Sequence, residues 1–248
     1  MTNHKEGTGS SQVARAKNDI EDFLRKIEVF KNFPRQSIQV IDKQIIKKSY
    51  KKGEQIISEY DEAQGVFFVH SGIVKLTKQD EAGNEIIVCM KKKGDLFAEA
   101  CLFNQPGSHY PATAKMVKDG EIFFLNTVDL EYELMMSPEL SIEIIRYMSA
   151  ELREMTSIMR DLALLDVYTK TLKTLERLAG KFGANRCNRM HIELPITVQE
   201  FASLVGTSRE SVSRVFSKLR KDGIIDVRSK EIVIIDWCRF CSLFHPSL

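Results

Sequence analysis

No stretch of this sequence is long enough and apolar enough to span a bilayer as a helix, so a membrane-spanning helical protein is not expected. A marked excess of charge of one sign is also lacking. The 36 basic and 34 acidic side chains leave a formal net charge of +2, too small to announce a nucleic-acid partner by itself. Catalytic signatures are missing too: there is no glycine-rich phosphate loop, no nucleophile elbow and no metal-binding His-Glu motif, so an enzyme is not expected. Cysteine is sparse, with Cys89, Cys101, Cys187, Cys238 and Cys241 and none earlier. The polar segment Met1 to Gln12 has no apolar core followed by a cleavage site. It reads as a disordered tail rather than a secretory signal, which predicts a cytoplasmic protein with reduced thiols.

What is present is an ordinary globular balance, 43% hydrophobic and 28% charged, over 248 residues, a length comfortable for two domains. Ile20, Phe23, Leu24, Ile27 and Phe30 recur at helical spacing and predict a helix over Ala14 to Phe33, closed by Pro34. A second short helix is expected over Ile38 to Ile45. From Ile46 to Leu125 the pattern changes to short apolar runs, such as Gly65 to His70 and Ile122 to Leu125, divided by turn residues. Such spacing predicts a β-sandwich or small barrel. From Pro138 to Leu164 the apolar residues Ile145, Met148, Leu152, Met155, Met159 and Leu162 alternate by three and four. A stripe this narrow predicts a helix that pairs with a second copy of itself, giving a homodimer. A hinge is expected near Leu165 to Val167, then a further helix closed by Gly180 and Gly183.

The most specific segment is Ile196 to Ile235. Thr197 and Glu200 have the spacing of a capping box and should start a helix. Gly206 permits a sharp turn, and Thr207 or Ser208 can cap the helix that follows. In that helix Val212, Val215, Phe216 and Leu219 face a core, leaving Arg209, Glu210, Ser213 and Arg214 on the opposite side. In a helix-turn-helix those positions enter the major groove, where Arg reads guanine and Glu reads the cytosine amino group. Asp226 to Ile235 reads as a hairpin wing whose Arg228 and Lys230 would reach phosphate. From Val205 to Lys230, Arg209, Arg214, Lys218, Arg220, Lys221, Arg228 and Lys230 oppose Glu210, Asp222 and Asp226, a local excess suited to a phosphate-facing surface.

Thr197 to Val215 resembles the DNA-binding motif of the cyclic-AMP receptor protein and FNR (Crp–Fnr) family of bacterial transcription regulators. Lys52 to Ile56, Val69 to Leu76 and Gly94 to Glu99 resemble the family's effector-binding jelly roll, and the seam helix resembles its dimerisation helix. The resemblance covers about residues 20 to 237. It implies an α+β chain: a tail over 1–14, a cyclic-nucleotide-binding-like β jelly roll with N-terminal helices over 15–137, a dimerisation helix and hinge over 138–165, and a winged helix-turn-helix over 166–248. It also implies a homodimer on double-stranded DNA, at an inverted repeat near TGTGA-N6-TCACA, contacted by Thr197, Ser208, Arg209, Glu210, Ser213, Arg214, Lys218, Arg228 and Lys230. RNA polymerase is the further partner that the resemblance implies.

For the effector, the resemblance points to a pocket at Gly94, Leu96, Glu99, His109, Tyr110 and Thr113. Glu99 stands where a ribose-binding glutamate would be, but Tyr110 stands where a phosphate-binding arginine would be. A neutral tyrosine cannot supply that charge, which speaks against cyclic AMP. The FNR branch holds an iron–sulfur cluster with cysteines near its N-terminus, and none lies there. Cys238, Cys241 and His245 form a C-x2-C-x3-H spacing that falls short of four ligands. The effector therefore stays unknown. The competing reading is a ligand- or redox-sensing module that acts through protein contacts.

Overall fold

The computed structural model describes residues 20–83, 85–228 and 231–244. The segment Met1 to Gln12, Lys230 and His245 lie outside them. The chain divides into two compact units, residues 1–74 with 91–152, and residues 75–90 with 153–248.

In the first unit the helix expected over Ala14 to Phe33 does not run through. Residues 20–24 are helical (α1); the Lys26 and Ile27 amides then donate to Phe23 and Leu24, three residues back, and Glu28–Phe30 closes a 3-10 turn. The reason is burial on more than one side. Phe23, Leu24, Ile27, Val29, Phe30 and Phe33 all enter one core, whereas a straight helix would put Val29 roughly 200° around the axis from Ile27. Helix α2 (Arg35–Gln44) adds Ile38 and Ile41 to that core.

The strands of this unit are β1 (Ile46–Tyr50), β2 (Gln55–Ile57), β3 (Gly65–Val69), β6 (Leu96–Phe97), β7 (Thr113–Lys118) and β8 (Gly120–Asn126). A four-stranded antiparallel sheet runs β1-β8-β3-β6, with Phe67 opposite both Phe124 and Phe97. Every residue of β3 is buried, because both faces of the sheet are covered there. On one face Phe68 and Phe123 meet the helical segments: Phe23 lies edge-on to Phe123 at 5.2 Å between centroids, and Phe30 is tilted against Phe68 at the same distance. Helix α3 (Thr127–Met136) starts at an Asn126 cap whose side chain accepts from the Val128 amide and buries Leu130 and Leu134 in the same core.

Helix α4 (Pro138–Leu164) has the bounds expected from its pattern, with proline at the first helical position. It has two apolar lines. Leu140 and Ile144 are buried in the β domain's core, with Tyr147 and Met148 packed partly against it, so Met148, expected in the pairing seam, turns toward the core instead. Ile142, Ile145, Leu152, Met155, Met159 and Leu162 are exposed.

The second unit contains most of β4 (Ile73–Gln79) and β5 (Glu85–Lys92), which pair with each other, then α5 (Val167–Phe182). The Asp166 carboxylate starts α5 by accepting from the amides of Tyr168 and Thr169. Gly180 does not close this helix: it lies inside it, with open space beyond, and Gly183 is the cap. Strands β9 (Gly183–Arg186), β10 (Arg189–Glu193), β11 (Ile225–Arg228) and β12 (Glu231–Ile234) form a sheet in the order β11-β12-β10-β9. The β9–β10 hairpin turns on Cys187 and Asn188, both at positive φ, as a tight two-residue hairpin requires. Helices α6 (Val198–Val205), α7 (Arg209–Lys221) and α8 (Trp237–Ser242) complete the unit. Among the described residues no helix is long and apolar enough to cross a membrane.

Two glycines give opposite expectations. A methyl group on Gly120 would strike the Ser71 carbonyl, which is backbone and cannot swing away, whereas Gly180 meets nothing. Gly120→Ala should cost roughly 1–3 kcal/mol, and Gly180→Ala should gain about 1 kcal/mol from helix propensity. Urea denaturation followed by circular dichroism would check both signs.

Candidate nucleic-acid interface

Helices α6 and α7 are fixed by their starts and their apolar faces. At α6 the Thr197 hydroxyl accepts from the Glu200 amide (3.1 Å), and the Glu200 carboxylate accepts from the Thr197 amide (2.9 Å), a complete capping box. Gly206 follows at φ +68, a left-handed turn that glycine enters without strain. The cap of α7 is Ser208, whose hydroxyl accepts from the Ser211 amide. Phe201, Ala202 and Val205 of α6 and Val212, Val215, Phe216 and Leu219 of α7 are buried, with the Phe201 and Phe216 rings 5.0 Å apart.

Burying that stripe leaves the remaining side of α7 in solvent. Arg209, Glu210, Ser213, Arg214 and Lys218 are all exposed, and Thr197 and Ser208 are exposed at the helix starts. The Arg214 Nε donates to the Glu210 carbonyl (3.4 Å), which draws its guanidinium back along the helix. The Lys218 ammonium sits 4.7 Å over the Tyr168 ring of α5. Strands β11 and β12 form the wing, paired from Ile225–Ile234 to Arg228–Glu231. Arg228 is exposed there, 3.0 Å from Asp226 and 3.6 Å from Glu231.

The residues assigned to an effector pocket are largely consumed by the fold. The Tyr110 hydroxyl accepts from the amides of Gln64 (3.1 Å) and Gly65 (3.3 Å), and its ring is buried against Phe67. Burial pushes this phenol above its usual range, outweighing the two amides. The Thr113 hydroxyl accepts from the Glu59 amide, and His109 bridges to Glu62 across a short antiparallel contact. Gly94 turns at φ +89, and Leu96 is core. Glu99 lies in a 3-10 turn (Glu99–Cys101), 3.8 Å from the Lys91 ammonium. Cys238 and Cys241 lie on α8; among the described residues no three His, Cys, Asp or Glu side chains converge as a metal site would need.

Residues 170–243 match the Crp-like helix-turn-helix domain, and residues 47–136 match the cyclic nucleotide-binding domain. The chain is 30% identical over 189 residues to the anaerobic regulatory protein of Bacillus subtilis, covering 76% of this chain and 79% of that one. The chain belongs to the Crp–Fnr family of transcription regulators. It is also similar to the CRP-like cAMP-activated global transcriptional regulator of Mycobacterium tuberculosis, 25% identical over 222 residues, covering 88% and 96% of the two chains. In fold it resembles FixK2 from Bradyrhizobium japonicum, with a TM-score of 0.71 at 22% identity over 80% of this chain and 96% of that one.

Crp–Fnr membership makes the chain a DNA-binding regulator rather than an enzyme, with an N-terminal nucleotide-binding-type β domain, the long α4 and a C-terminal helix-turn-helix with a small sheet. One part of this unit escaped the sequence reading. The Lys75 ammonium of β4 donates to the Glu200 carboxylate (2.9 Å) and to Glu85 (3.2 Å), and the Ser203 hydroxyl accepts from the Ile87 amide (2.8 Å). Thus the β4–β5 hairpin is held on α6 at the residue that completes its cap. Separations of 116 and 125 residues leave no local signal for these bonds.

Burial raises the Glu200 carboxyl, but the Thr197 amide and the Lys75 ammonium outweigh it and hold it below its usual range. Its contribution to stability is therefore present above the unfolded carboxyl value and is lost as pH falls through the folded one. Burial lowers Lys75, but Glu200 and Glu85 outweigh it and raise it, so its contribution is lost only as pH rises through that raised value. Lys75→Met should move the Glu200 carboxyl upward, since burial then loses one opponent. Side-chain carbon NMR across acid pH would read that shift, and an unmoved carboxyl would disprove the coupling.

Proposed function

We propose that two copies of the chain pair along the exposed line of α4 and bind an inverted repeat near TGTGA-N6-TCACA. The observation that carries this reading is the outer face of α7: Arg209, Glu210, Ser213 and Arg214 stand in solvent at the N-terminal half of a helix whose other side is core. Arg209 and Arg214 supply bidentate donors for guanine, and Glu210 supplies an acceptor for the cytosine amino group. Thr197 and Ser208 lie at helix starts, where amides meet phosphate. Lys218, Arg228 and Lys230 add sequence-independent phosphate contacts.

Pairing is supported by Ile142, Ile145, Leu152, Met155, Met159 and Leu162, exposed along a helix of 27 residues. Their spacing keeps one apolar seam, which a second copy of the same helix would cover. A two-fold pair presents two α7 helices, and half-sites about one helical turn apart follow from that symmetry. RNA polymerase is the further partner in this reading, and the cytoplasm its place of action. Activation by cyclic AMP, which the mycobacterial relative's name states of that protein, is not carried over, because the Tyr110 hydroxyl is spent on the backbone.

Effector-free protein should bind a TGTGA-N6-TCACA duplex at least roughly 1000-fold more tightly than a scrambled duplex at the same salt, measured by fluorescence anisotropy. Arg209→Ala should lose about 1–3 kcal/mol of that discrimination. Lys230→Ala should weaken both complexes alike and flatten the salt dependence. Leu152→Glu should give a monomer in sedimentation equilibrium; a dimer surviving that change would place the pairing face elsewhere.

A further inference from the structure

Lys91 is the last but one residue of β5 and only 4% exposed. Its ammonium lies 3.0 Å from the Glu151 carboxylate on α4 and 3.8 Å from the Glu99 carboxylate in the 3-10 turn after β6. Both carboxylates are themselves largely covered. One turn earlier on α4, Tyr147 packs against the core, and burial drives its phenol far above the usual range. The end of β5, the turn shortly after it and α4, 60 residues on, thus meet at one buried cation.

A cyclic nucleotide would need two things here: a cation for its phosphodiester, and an acceptor for its ribose hydroxyl. Glu99, the candidate acceptor, faces Lys91. Lys91, the cation beside it, is engaged by two carboxylates. Tyr110 and Thr113 are committed to backbone amides. A bound nucleotide would therefore have to displace contacts that the chain already makes.

We propose that the Lys91–Glu99–Glu151 ion cluster stands in for a small-molecule effector, tying the middle of α4 to the β domain so that DNA binding needs no cyclic nucleotide. A ligand in this fold can only bias α4 by contacts that differ between its states. Here a lysine and two glutamates supply such contacts permanently. Breaking one partner leaves a buried charge without compensation, so the tie is lost steeply rather than gradually. The proposal rests on the DNA-binding reading, and its own readout is local to α4.

Hydrogen exchange of the α4 amides around Tyr147 to Glu151 would be measured in the full-length protein, with and without millimolar cyclic AMP, alongside anisotropy on the TGTGA-N6-TCACA duplex. Wild type should be protected in both conditions and bind DNA equally in both. Lys91→Met should raise exchange across that turn and weaken DNA binding roughly 5- to 150-fold. Glu151→Gln, which keeps the shape, should do the same to a smaller degree and covers the case in which Lys91→Met fails to fold. The triple variant Lys91→Met with Glu99→Gln and Glu151→Met removes all three charges together and should regain protection. Cyclic AMP that protects α4 or tightens DNA binding in wild type overturns the proposal. So does a single variant that loosens α4 while DNA affinity stays unchanged. Wild type that ignores this duplex, with the exchange pattern as expected, refutes the proposed DNA site and not the tie.

Discussion

The constraint on which the rest depends is that one helix carries two apolar lines and its own domain buries only one of them. Helix α4 gives Leu140 and Ile144 to the core that holds Phe30, Phe68 and Phe123, and turns Ile145, Leu152, Met155 and Met159 outward. A helix that buried both lines in its own domain would present no apolar seam to solvent. One that buried neither would not be positioned. The division is set by spacing alone, since residues three and four apart share a face while neighbours do not. The charged tie at Lys91 acts on the same helix where the buried line gives out, so an ionic contact continues what apolar packing begins.

A similar economy governs the DNA-reading end. The outer side chains of α7 are aimed chiefly because Val212, Val215, Phe216 and Leu219 can face only one way, with Arg214 held in addition by the Glu210 carbonyl. The cap at Ser208, the left-handed Gly206 and the capping box of α6 fix where each helix begins, and so which residues reach the outer face. Lys75 adds a long-range strut to that cap, so the hairpin of β4 and β5 shares a carboxylate with the helix-turn-helix.

Much of this was legible in the sequence where the controlling forces are local. The bounds of α4, the capping box, the turn glycine and the buried stripe of α7 all follow from residues within a few positions of each other. The failures have the opposite origin. The helix expected over Ala14 to Phe33 gives way because its apolar residues are claimed by a core shared with strands and helices much later in the chain. Gly180 reads as a stop, yet it lies within α5, which ends only at Gly183. The β9–β10 hairpin went unread, since Gly183 to Arg186 carries almost no apolar pattern and pairs only along one edge of the sheet. Lys91 sits first in a run of three lysines, a sequence that normally marks a solvated surface. Its partner Glu151 is 60 residues away, and no local rule joins them.

The single tryptophan has an optical consequence. Trp237 lies on α8, half-buried and 5.6 Å from the Phe240 ring, inside the unit that carries the recognition helix. Indole emission excited at the red edge of its absorption therefore originates from that unit alone. The tyrosines at positions 50, 60, 110, 132 and 147 all lie in the other unit, and only Tyr168 shares the tryptophan's. The molecule thus carries a built-in two-colour label, by which the melting of its two halves can be followed separately without attaching a dye.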